Sequence, residues 1–483
     1  MAFTPAQEAV LEQIIEAFQN GKRLSDLPDV KGTNPYKLLV EVLDEDGESK
    51  KAALATLLPY LEEECSYGVE RSLSVSSPAC TRVGSTIFHK SLPIHSRMKG
   101  CLLDDDGNVV EYLSPRDWTG QSRDGSRGQV MVEIPAHYRK FKEDGDIFGV
   151  RISELPLPGY HYVPKMYISA YQATVQRTGN KLASVVNNTP DFRGGNNNAD
   201  WDGSYRSLLG LPATAISRTN FRNYARNRKA GSTEWNCMTY DAQKALYWLF
   251  VIEYATLNTQ APFNAELTAE GYRQGGLGAG VTNITSAKWS AFNNYYPFIP
   301  CGYTDTLGNG TGVVPFTMPA EYDPEAESPH IEYVPRYRGI ENPFGHLWQW
   351  TDGINVRISP TEENGGDGLS KVFVCSDPAL FKDNGYDGYS HVGNEARNEG
   401  YVKEIIGGEY GEIMPAVCAG AGSTTYYCDY HYTNIPTVET LRGVLFGGFA
   451  NSGASAGFAF ANSSYAPSYT IAHFGSRLCF LPR

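Results

Sequence analysis

The chain has 483 residues, of which 41% are hydrophobic and 20% charged, a composition typical of a globular protein with two or three domains. Its formal net charge is -13 at pH 7 and its Lys and Arg residues form no basic run, so nucleic acid is not expected as a partner. The 31 Tyr and 49 Gly residues favour β-structure with many turns over an all-α fold.

The nine cysteines are scattered without CxxC pairs, which predicts reduced, buried thiols and neither a zinc site nor a disulfide framework. The first residues, MAFTPAQEAVLEQ, have neither the basic nor the apolar part of a signal peptide. No apolar run approaches the roughly 20 residues that a membrane helix needs. We therefore expect a protein that is made in the cytoplasm and does not insert into a membrane.

Helical patterns come first along the chain. Thr4 and Pro5 are a capping residue and a first-turn proline, and apolar residues then recur at helical spacing until Gly21. A second helix is predicted over about 50–64. Their apolar stripe is too large to leave in water, so we interpret residues 1–65 as an attachment or oligomerisation segment, with a local helical hairpin as the alternative.

The pattern changes to short strands over 66–160, which predicts a small β-rich domain. Residues 102–113 indicate two strands around an Asp-Gly turn, and residues 129–141 indicate one strand with alternating faces. The segment DDDGN lacks the acidic spacing of a calcium loop, so the turn is preferred there.

The remaining residues, 161–483, are predicted to form one larger domain. Its strongest helix covers 240–256, with one apolar face formed by Ala242, Ala245, Leu246, Leu249 and Ile252. Long Gly- and Asn-rich loops such as 193–205 surround it, and loops of that length usually carry function or interfaces.

The last part of this domain has an unusual composition, because no fixed charge lies between Arg442 and Arg477. Phe, Tyr, Ser and Asn alternate there with Gly and Ala, which is the composition of an antibody-like binding surface. The candidate contact residues are Phe449, Asn451, Ser452, Ser455, Phe458, Phe460, Ser464, Tyr465, Tyr469, Ile471 and His473. The alternative is a core strand with Phe458 and Phe460 turned inward.

Three segments, MYISAYQAT (166–174), residues 220–243 and NPFGHLWQWTDGI (342–354), resemble the formylglycine-generating-enzyme type of C-type-lectin-like fold. The superfamily's Gly-x-x-Trp-x-Trp-Thr segment is matched by Gly345, Trp348, Trp350, Thr351 and Asp352. Its closing Gly-Phe-Arg strand is matched at Gly475 and Arg477, with Ser476 in place of Phe. The resemblance implies an α+β protein with a C-type-lectin-like domain over 161–483. As large apolar residues, Trp348 and Trp350 are expected to be buried in any case.

The oxidase of this superfamily binds copper through a cysteine pair just before the terminal strand. No cysteine lies between Cys428 and Cys479, so that site cannot be built here and no catalytic residues or resident cofactor are expected. The alternative is an enzyme with an altered metal site that uses Cys428, His431 or His473. The sequence leaves open whether the long Asn/Asp loops bind a structural calcium ion.

Within the same superfamily, the ending resembles the variable proteins of diversity-generating retroelements. Asn codons randomised at their first two bases yield the Phe, Tyr, Ser, His and Ile residues found over about 445–475. The segments VMVEIPAHYRKFK and MYISAYQATV also resemble tail-associated proteins of phages that infect gut bacteria.

These resemblances imply a non-enzymatic phage tail tip or fibre protein, located in the virion, that binds a protein or glycan receptor on bacteria. Its other partners would be phage tail proteins, and we expect a homotrimer. A bacterial surface-displayed diversified protein is a further alternative.

Overall fold

The computed structural model describes residues 39–43, 49–53 and 61–482, which form an α+β protein in which strands predominate. The α-helices are α1 (Thr86–Ser91), α2 (Arg218–Arg226), α3 (Tyr240–Tyr254) and α4 (Ser286–Asn293), and residues 61–65 are also helical. Short 3-10 helices lie at His95–Arg97, Pro190–Phe192, Ala199–Trp201, Asp305–Leu307, Ala320–Tyr322, Glu362–Asn364, Pro378–Leu380 and Gly453–Ser455.

The strands, in chain order, are β1 (Leu39–Leu43), β2 (Ser49–Ala53), β3 (Tyr67–Ser72), β4 (Thr81–Gly84), β5 (Lys99–Leu103), β6 (Val109–Tyr112), β7 (Gln129–Ile134), β8 (His137–Asp144), β9 (Ile147–Ser153), β10 (His161–Val163), β11 (Met166–Ser169), β12 (Thr174–Gln176), β13 (Lys181–Ala183), β14 (Trp235–Cys237), β15 (Gly312–Thr317), β16 (Ile331–Tyr337), β17 (Ile340–Glu341), β18 (Trp348–Ile358), β19 (Ser370–Val374), β20 (Ser390–Asn394), β21 (Gly400–Tyr401), β22 (Glu404–Gly407), β23 (Glu412–Val417), β24 (Tyr430–Tyr432), β25 (Thr440–Gly447), β26 (Gly457–Asn462), β27 (Phe474–Gly475) and β28 (Leu478–Phe480).

Three large sheets contain most of these strands. The first has the order β20-β19-β18-β25-β26-β24-β21, and β27 pairs with β18 in parallel. The second has the order β14-β28-β11-β7-β5-β6, and the third has the order β10-β8-β9-β3-β4. Smaller sheets are β15-β16-β17, β1-β2, β12-β13 and β22-β23.

Helix α3 lies in the middle of the core. The side chain of Thr239 accepts a hydrogen bond from the Ala242 amide at its start, and Ala255 ends it in the left-handed conformation. Every residue of α3 except Asp241 is buried, because β3, β9, β18 and β26 all contact it. The helix predicted over 240–256 is therefore confirmed, but it is buried on all sides and not on one stripe, and its buried polar side chains Gln243, Lys244 and Glu253 have partners inside the protein.

Strand β18 is the central strand of the first sheet, and Trp348 and Trp350 on it are 2% and 0% exposed, which confirms their predicted burial. Helix α2 is joined to this strand by buried ion pairs, with Arg222 Nη2 3.0 Å from Asp352 Oδ1. The end of the chain is attached to it as well. Ser476 Oγ donates to the Trp350 carbonyl oxygen at 2.7 Å, and Arg477 Nε donates to Gln349 Oε1 at 2.9 Å.

The N-terminal prediction needs correction over the described residues. The helix expected over about 50–64 is a strand at Ser49–Ala53, which pairs antiparallel with Leu39–Leu43, and the chain is helical at 61–65. Pairing with residues 39–43 overrides the helical preference that Lys and Ala give to this segment. The first predicted helix lies outside the described residues.

The strands predicted within 102–113 are confirmed as β5 and β6. The single strand predicted over 129–141 is wrong, because the chain forms β7 and β8 on either side of Pro135 and these belong to different sheets. In the second sheet, β7 pairs with β11 and so joins β5 and β6 to strands from beyond residue 160. Residues on both sides of the boundary predicted near 160 thus share one sheet and one apolar core.

Candidate binding surface

The segment predicted to carry the binding residues is partly sheet and partly loop. Residues 445–447 end β25, residues 457–462 form β26, and residues 463–473 form a loop before β27. Half of this segment lies inside the protein and half of it reaches solvent, so the eleven candidate residues fall into two groups.

Phe458 and Phe460 belong to the core, being 1% and 0% exposed. The Phe458 ring lies 5.8 Å from the Phe250 ring on α3, and the Phe460 ring lies 4.6 Å from the Trp348 indole. Their assignment as contact residues is therefore corrected. The pairing of β25 with β26 is irregular, because Phe446 pairs with Ala461 but the next residue, Gly447, pairs with Gly457. Residues 458–460 of β26 lie between these two pairs and are buried.

Phe449 and His473 lie at one end of the solvent-accessible part of the segment 445–475. Their rings stack at 4.6 Å with an angle of 20°, and Phe449 also stacks on Trp348 at 6.0 Å. Trp289 from α4 lies beneath, 5.7 Å from His473. Burial lowers the pKa of His473 to about 4, so this ring is neutral at pH 7. The pair can present an uncharged aromatic edge to a ligand.

Tyr465, Tyr469 and Ile471 lie in the loop between β26 and β27. The two tyrosine rings are 5.1 Å apart, and Tyr465 packs edge-on against the buried Phe474 at 5.1 Å. Tyr469 is 52% exposed, and Tyr465 and Ile471 are half-buried. These three residues lie where a partner can reach them, and their binding role stays a prediction.

The polar candidates Asn451, Ser452, Ser455 and Ser464 are all half-buried. Ser452 Oγ accepts from the Phe449 amide at 3.0 Å, and Ser455 Oγ lies 3.5 Å from the Tyr401 hydroxyl. The Ser464 amide donates to Asn462 Oδ1 at 2.9 Å. The serine at 452 therefore shapes the turn that carries Phe449, in addition to offering a hydroxyl at the surface.

The structure adds three tyrosines from outside the predicted segment. The Tyr401 and Tyr430 rings are 5.1 Å apart, Tyr430 and Tyr432 are 5.1 Å apart, and Tyr432 packs on Phe460 at 5.3 Å. All three tyrosines are half-buried. The sequence pattern could have indicated two of these surface tyrosines. Tyr430 and Tyr432 stand on either side of His431, so on a strand both side chains point to the same face.

These half-buried or exposed rings rest on a common floor of buried Trp348, Phe460 and Phe474. We call the set the aromatic surface; it comprises Tyr401, Tyr430, Tyr432, Phe449, Tyr465, Tyr469 and His473. Burial raises the pKa of Tyr430, Tyr432 and Tyr465, so their hydroxyls stay protonated and can donate at pH 7. The carboxylate of the exposed Glu399 adds to this rise in pKa at all three. Such a surface can bind by ring stacking and by hydroxyl hydrogen bonds.

The residues of the alternative metal site do not converge. His431 is buried with Nδ1 3.2 Å from the Ala461 carbonyl oxygen, and the buried Cys428 thiol is directed at the Tyr426 carbonyl oxygen at 3.9 Å. His473 is stacked on Phe449. Within the described part of the chain, no three His, Cys, Asp or Glu side chains are grouped to hold a metal ion.

The Asn/Asp loop at 193–205 already pairs one of its two carboxylates, that of Asp202. Arg193 Nε donates to Asp202 Oδ1 at 2.9 Å, and Arg193 Nη1 donates to Asn197 Oδ1 at 3.0 Å. A calcium ion bound at these oxygens would have to displace the guanidinium.

A pocket of about 280 Å³ lies apart from the aromatic surface and is lined by Glu62, Glu63, Glu70, Lys140, Lys142, Gly149 and Arg151. Lys140 Nζ is 3.0 Å from Glu62 Oε1, and Arg151 Nη1 is 2.7 Å from Glu63 Oε2. Its charges are thus largely used in mutual ion pairs.

No helix in the described ranges has the length and apolar character required to cross a bilayer. Compared with known protein families and with curated proteins, the sequence matches none.

Proposed function

We propose that this protein is a non-enzymatic binding protein that attaches to a receptor on a bacterial surface through the aromatic surface. The observation that carries the proposal is the cluster of uncharged, half-buried rings held on a rigid floor of buried aromatic side chains. Tyr and Phe offer large contact area at low cost in side-chain entropy, and pre-ordered rings reduce that cost further.

We further propose that residues 161–483 form a C-type-lectin-like domain of the formylglycine-generating-enzyme type. The matched residues have the roles that such a core motif requires, which supports the proposal. Trp348 and Trp350 are buried in β18, Asp352 pairs with Arg222, and Arg477 donates to Ser169 and Asn342 carbonyl oxygens from a fully buried position.

A diversity-generating retroelement would act on a subset of the terminal segment. Substitution at the accessible positions Phe449, Tyr465, Tyr469, Ile471 and His473 changes the surface at little structural cost. Substitution at the buried Phe458 and Phe460 disturbs the core. We propose that diversification is tolerated at the accessible group, in a phage tail tip or fibre protein carried in the virion as a homotrimer.

Several weak sites in one particle would then bind a receptor with high avidity, as expected for tail proteins that act in several copies.

The binding proposal is tested by adsorption of the purified, labelled protein to a panel of bacterial cells. Tyr469→Ser should reduce adsorption at least about tenfold, because exposed aromatic anchors dominate such interfaces. Tyr162→Ser is the matched control, since Tyr162 is 58% exposed but lies outside the aromatic surface. Equal adsorption of the two variants would refute the proposal.

The diversification proposal is tested by sequencing the DNA that flanks the gene. We expect a near-copy of the segment that encodes 445–480, differing only at adenines of the copy, beside a reverse-transcriptase gene. If the flanking DNA has no such copy, the diversification proposal is wrong and the protein is a binding protein of fixed specificity.

A further inference from the structure

Arg442 on β25 is a half-buried arginine beside the aromatic surface that lacks a partner among the described residues. Its Nε atom is buried and makes no hydrogen bond, and no carboxylate of the described ranges forms an ion pair with its guanidinium. Burial lowers the pKa of Arg442, and only the Tyr469 hydroxyl is near enough to oppose that effect. Leaving the buried Nε without a hydrogen bond costs stability, so a ligand that accepts hydrogen bonds from this guanidinium would be favoured there.

The neighbouring arginine shows that the same strand region can supply counter-ions. Arg357 on β18 pairs with Leu441 in the sheet register, next to Arg442. Its guanidinium is 2.8 Å from Asp367 Oδ2 and also contacts Glu439. Arg357 thus has its counter-ions within the protein, whereas Arg442 has none among the described residues.

Arg442 adjoins the tyrosines of the loop between β26 and β27. The amide of the next residue, Gly443, donates to the Tyr465 carbonyl oxygen at 3.1 Å, which holds that loop against β25. Tyr465 and Tyr469 lie 5.1 Å apart, and the hydroxyl-bearing Ser468 is exposed between them in the sequence. One unpaired guanidinium therefore lies next to two aromatic rings and a set of neutral hydroxyl groups.

We propose that Arg442 binds the carboxylate of an acidic carbohydrate, a glycan with uronic or sialic acid residues, whose sugar ring lies against Tyr465 and Tyr469. A guanidinium donates two parallel hydrogen bonds to a carboxylate, and aromatic faces stack on the apolar face of a sugar ring. This inference rests on the proposed binding function and names its ligand class.

An acidic peptide fits less well, because the carboxylate of Glu399 is close enough to add to the rise that burial causes in the pKa of Tyr465, and the net charge of the chain is -13. A ligand with many carboxylates would be repelled there, whereas a sugar presents one carboxylate per ring and its hydroxyls to the neutral part of the surface.

The test compares binding of uronic and sialic acid oligosaccharides with binding of the same oligosaccharides after reduction of their carboxyl groups. The full-length protein should bind at least one acidic form tenfold or more tightly than its reduced form, and added NaCl should weaken that binding. Arg442→Gln should abolish the preference. Glu399→Gln should keep it or strengthen it a few-fold, and Arg116→Gln, at an exposed arginine elsewhere, should leave it unchanged.

Equal binding of acidic and reduced forms, no binding of any acidic form, an unchanged preference in Arg442→Gln, or preference for acidic peptides would each overturn the inference. A lower unfolding temperature of Arg442→Gln would also overturn it, since the residue would then act in folding. If Tyr469→Ser loses cell adsorption while Arg442→Gln retains it, the binding function stands and only the ligand class fails.

Discussion

Glu395 and His431 form a buried pair behind the aromatic surface. The protonation of Glu395 predicts how the free energy of unfolding depends on pH. Glu395 Oε1 accepts from Ser463 Oγ at 2.7 Å and from Thr433 Oγ1 at 3.1 Å. Its Oε2 atom lies 3.9 Å from His431 Nε2, and both atoms are buried without a hydrogen bond. His431 Nδ1 faces the Ala461 carbonyl oxygen, which only accepts, so Nδ1 carries a hydrogen and Nε2 faces the carboxyl group.

Burial raises the pKa of Glu395 from 4.5 to about 8, although Arg397 opposes the shift, and burial lowers the pKa of His431 to about 4. The folded protein therefore keeps a carboxyl proton that the unfolded chain releases above pH 4.5. This contribution to stability is complete below pH 4.5 and is lost as the pH rises to about 8. The loss is about 1.4 kcal/mol for each pH unit, and on the order of 5 kcal/mol in all.

Glu395→Gln removes the titration and keeps the shape, because an amide can accept from Ser463 and donate to His431 Nε2. Urea unfolding of both proteins, followed by tryptophan fluorescence between pH 6 and 9, measures the difference in free energy of unfolding. The free energy of unfolding of the variant, minus that of the wild type, should rise by about 1.4 kcal/mol per pH unit from pH 6 to about pH 8 and should then level off. Burial also raises the pKa of Asp429, but that group is present in both proteins and cancels.

A difference that stays constant from pH 6 to 9, or that falls, would refute the reasoning, because Glu395 would then be ionised in the folded protein at neutral pH. Restricting the range to pH 6 and above keeps most of the titration of buried histidines out of the comparison.

Two further predictions separate core from surface in the terminal segment. Phe460→Ala should lower the free energy of unfolding by about 3–5 kcal/mol, because it leaves a cavity against Trp348. Tyr469→Ala should change the free energy of unfolding by less than about 0.5 kcal/mol. Equal midpoints of urea unfolding for the two variants would contradict this prediction. Gly457→Ala should reduce the yield of folded protein, since the new Cβ would lie 1.8 Å from Asp429 Oδ1. Wild-type yield and unfolding temperature would show that the backbone can move there.

Elements that depend on local pattern were predicted well. The helix over 240–254 begins at a capping threonine and has apolar residues at helical spacing, and the strands within 102–113 flank an Asp-Gly turn. The burial of Trp348 and Trp350 followed from their size and apolar character. The α+β class followed from the composition and from these elements together.

Pairing partners, by contrast, lie far apart in the sequence. Residues 49–53 carry no strong strand signal and become a strand because residues 39–43 pair with them. Pro135 divides the predicted 129–141 strand, and β7 then joins β11 across the expected domain boundary. Local preference cannot anticipate such long-range hydrogen bonding.

By itself, the sequence determined that the terminal segment would be uncharged, aromatic and rich in small residues, because composition needs no partner. Only the tertiary structure decided that Phe458 and Phe460 face the core while Tyr465 and Tyr469 reach solvent, since both pairs have similar side chains and differ in what covers them. It also brought Tyr401 and Tyr430 to the same surface and placed Arg442 beside it with no counter-ion in the part of the chain that the structure describes. Burial and charge pairing are properties of neighbours in space, and these neighbours come from strands distant along the chain.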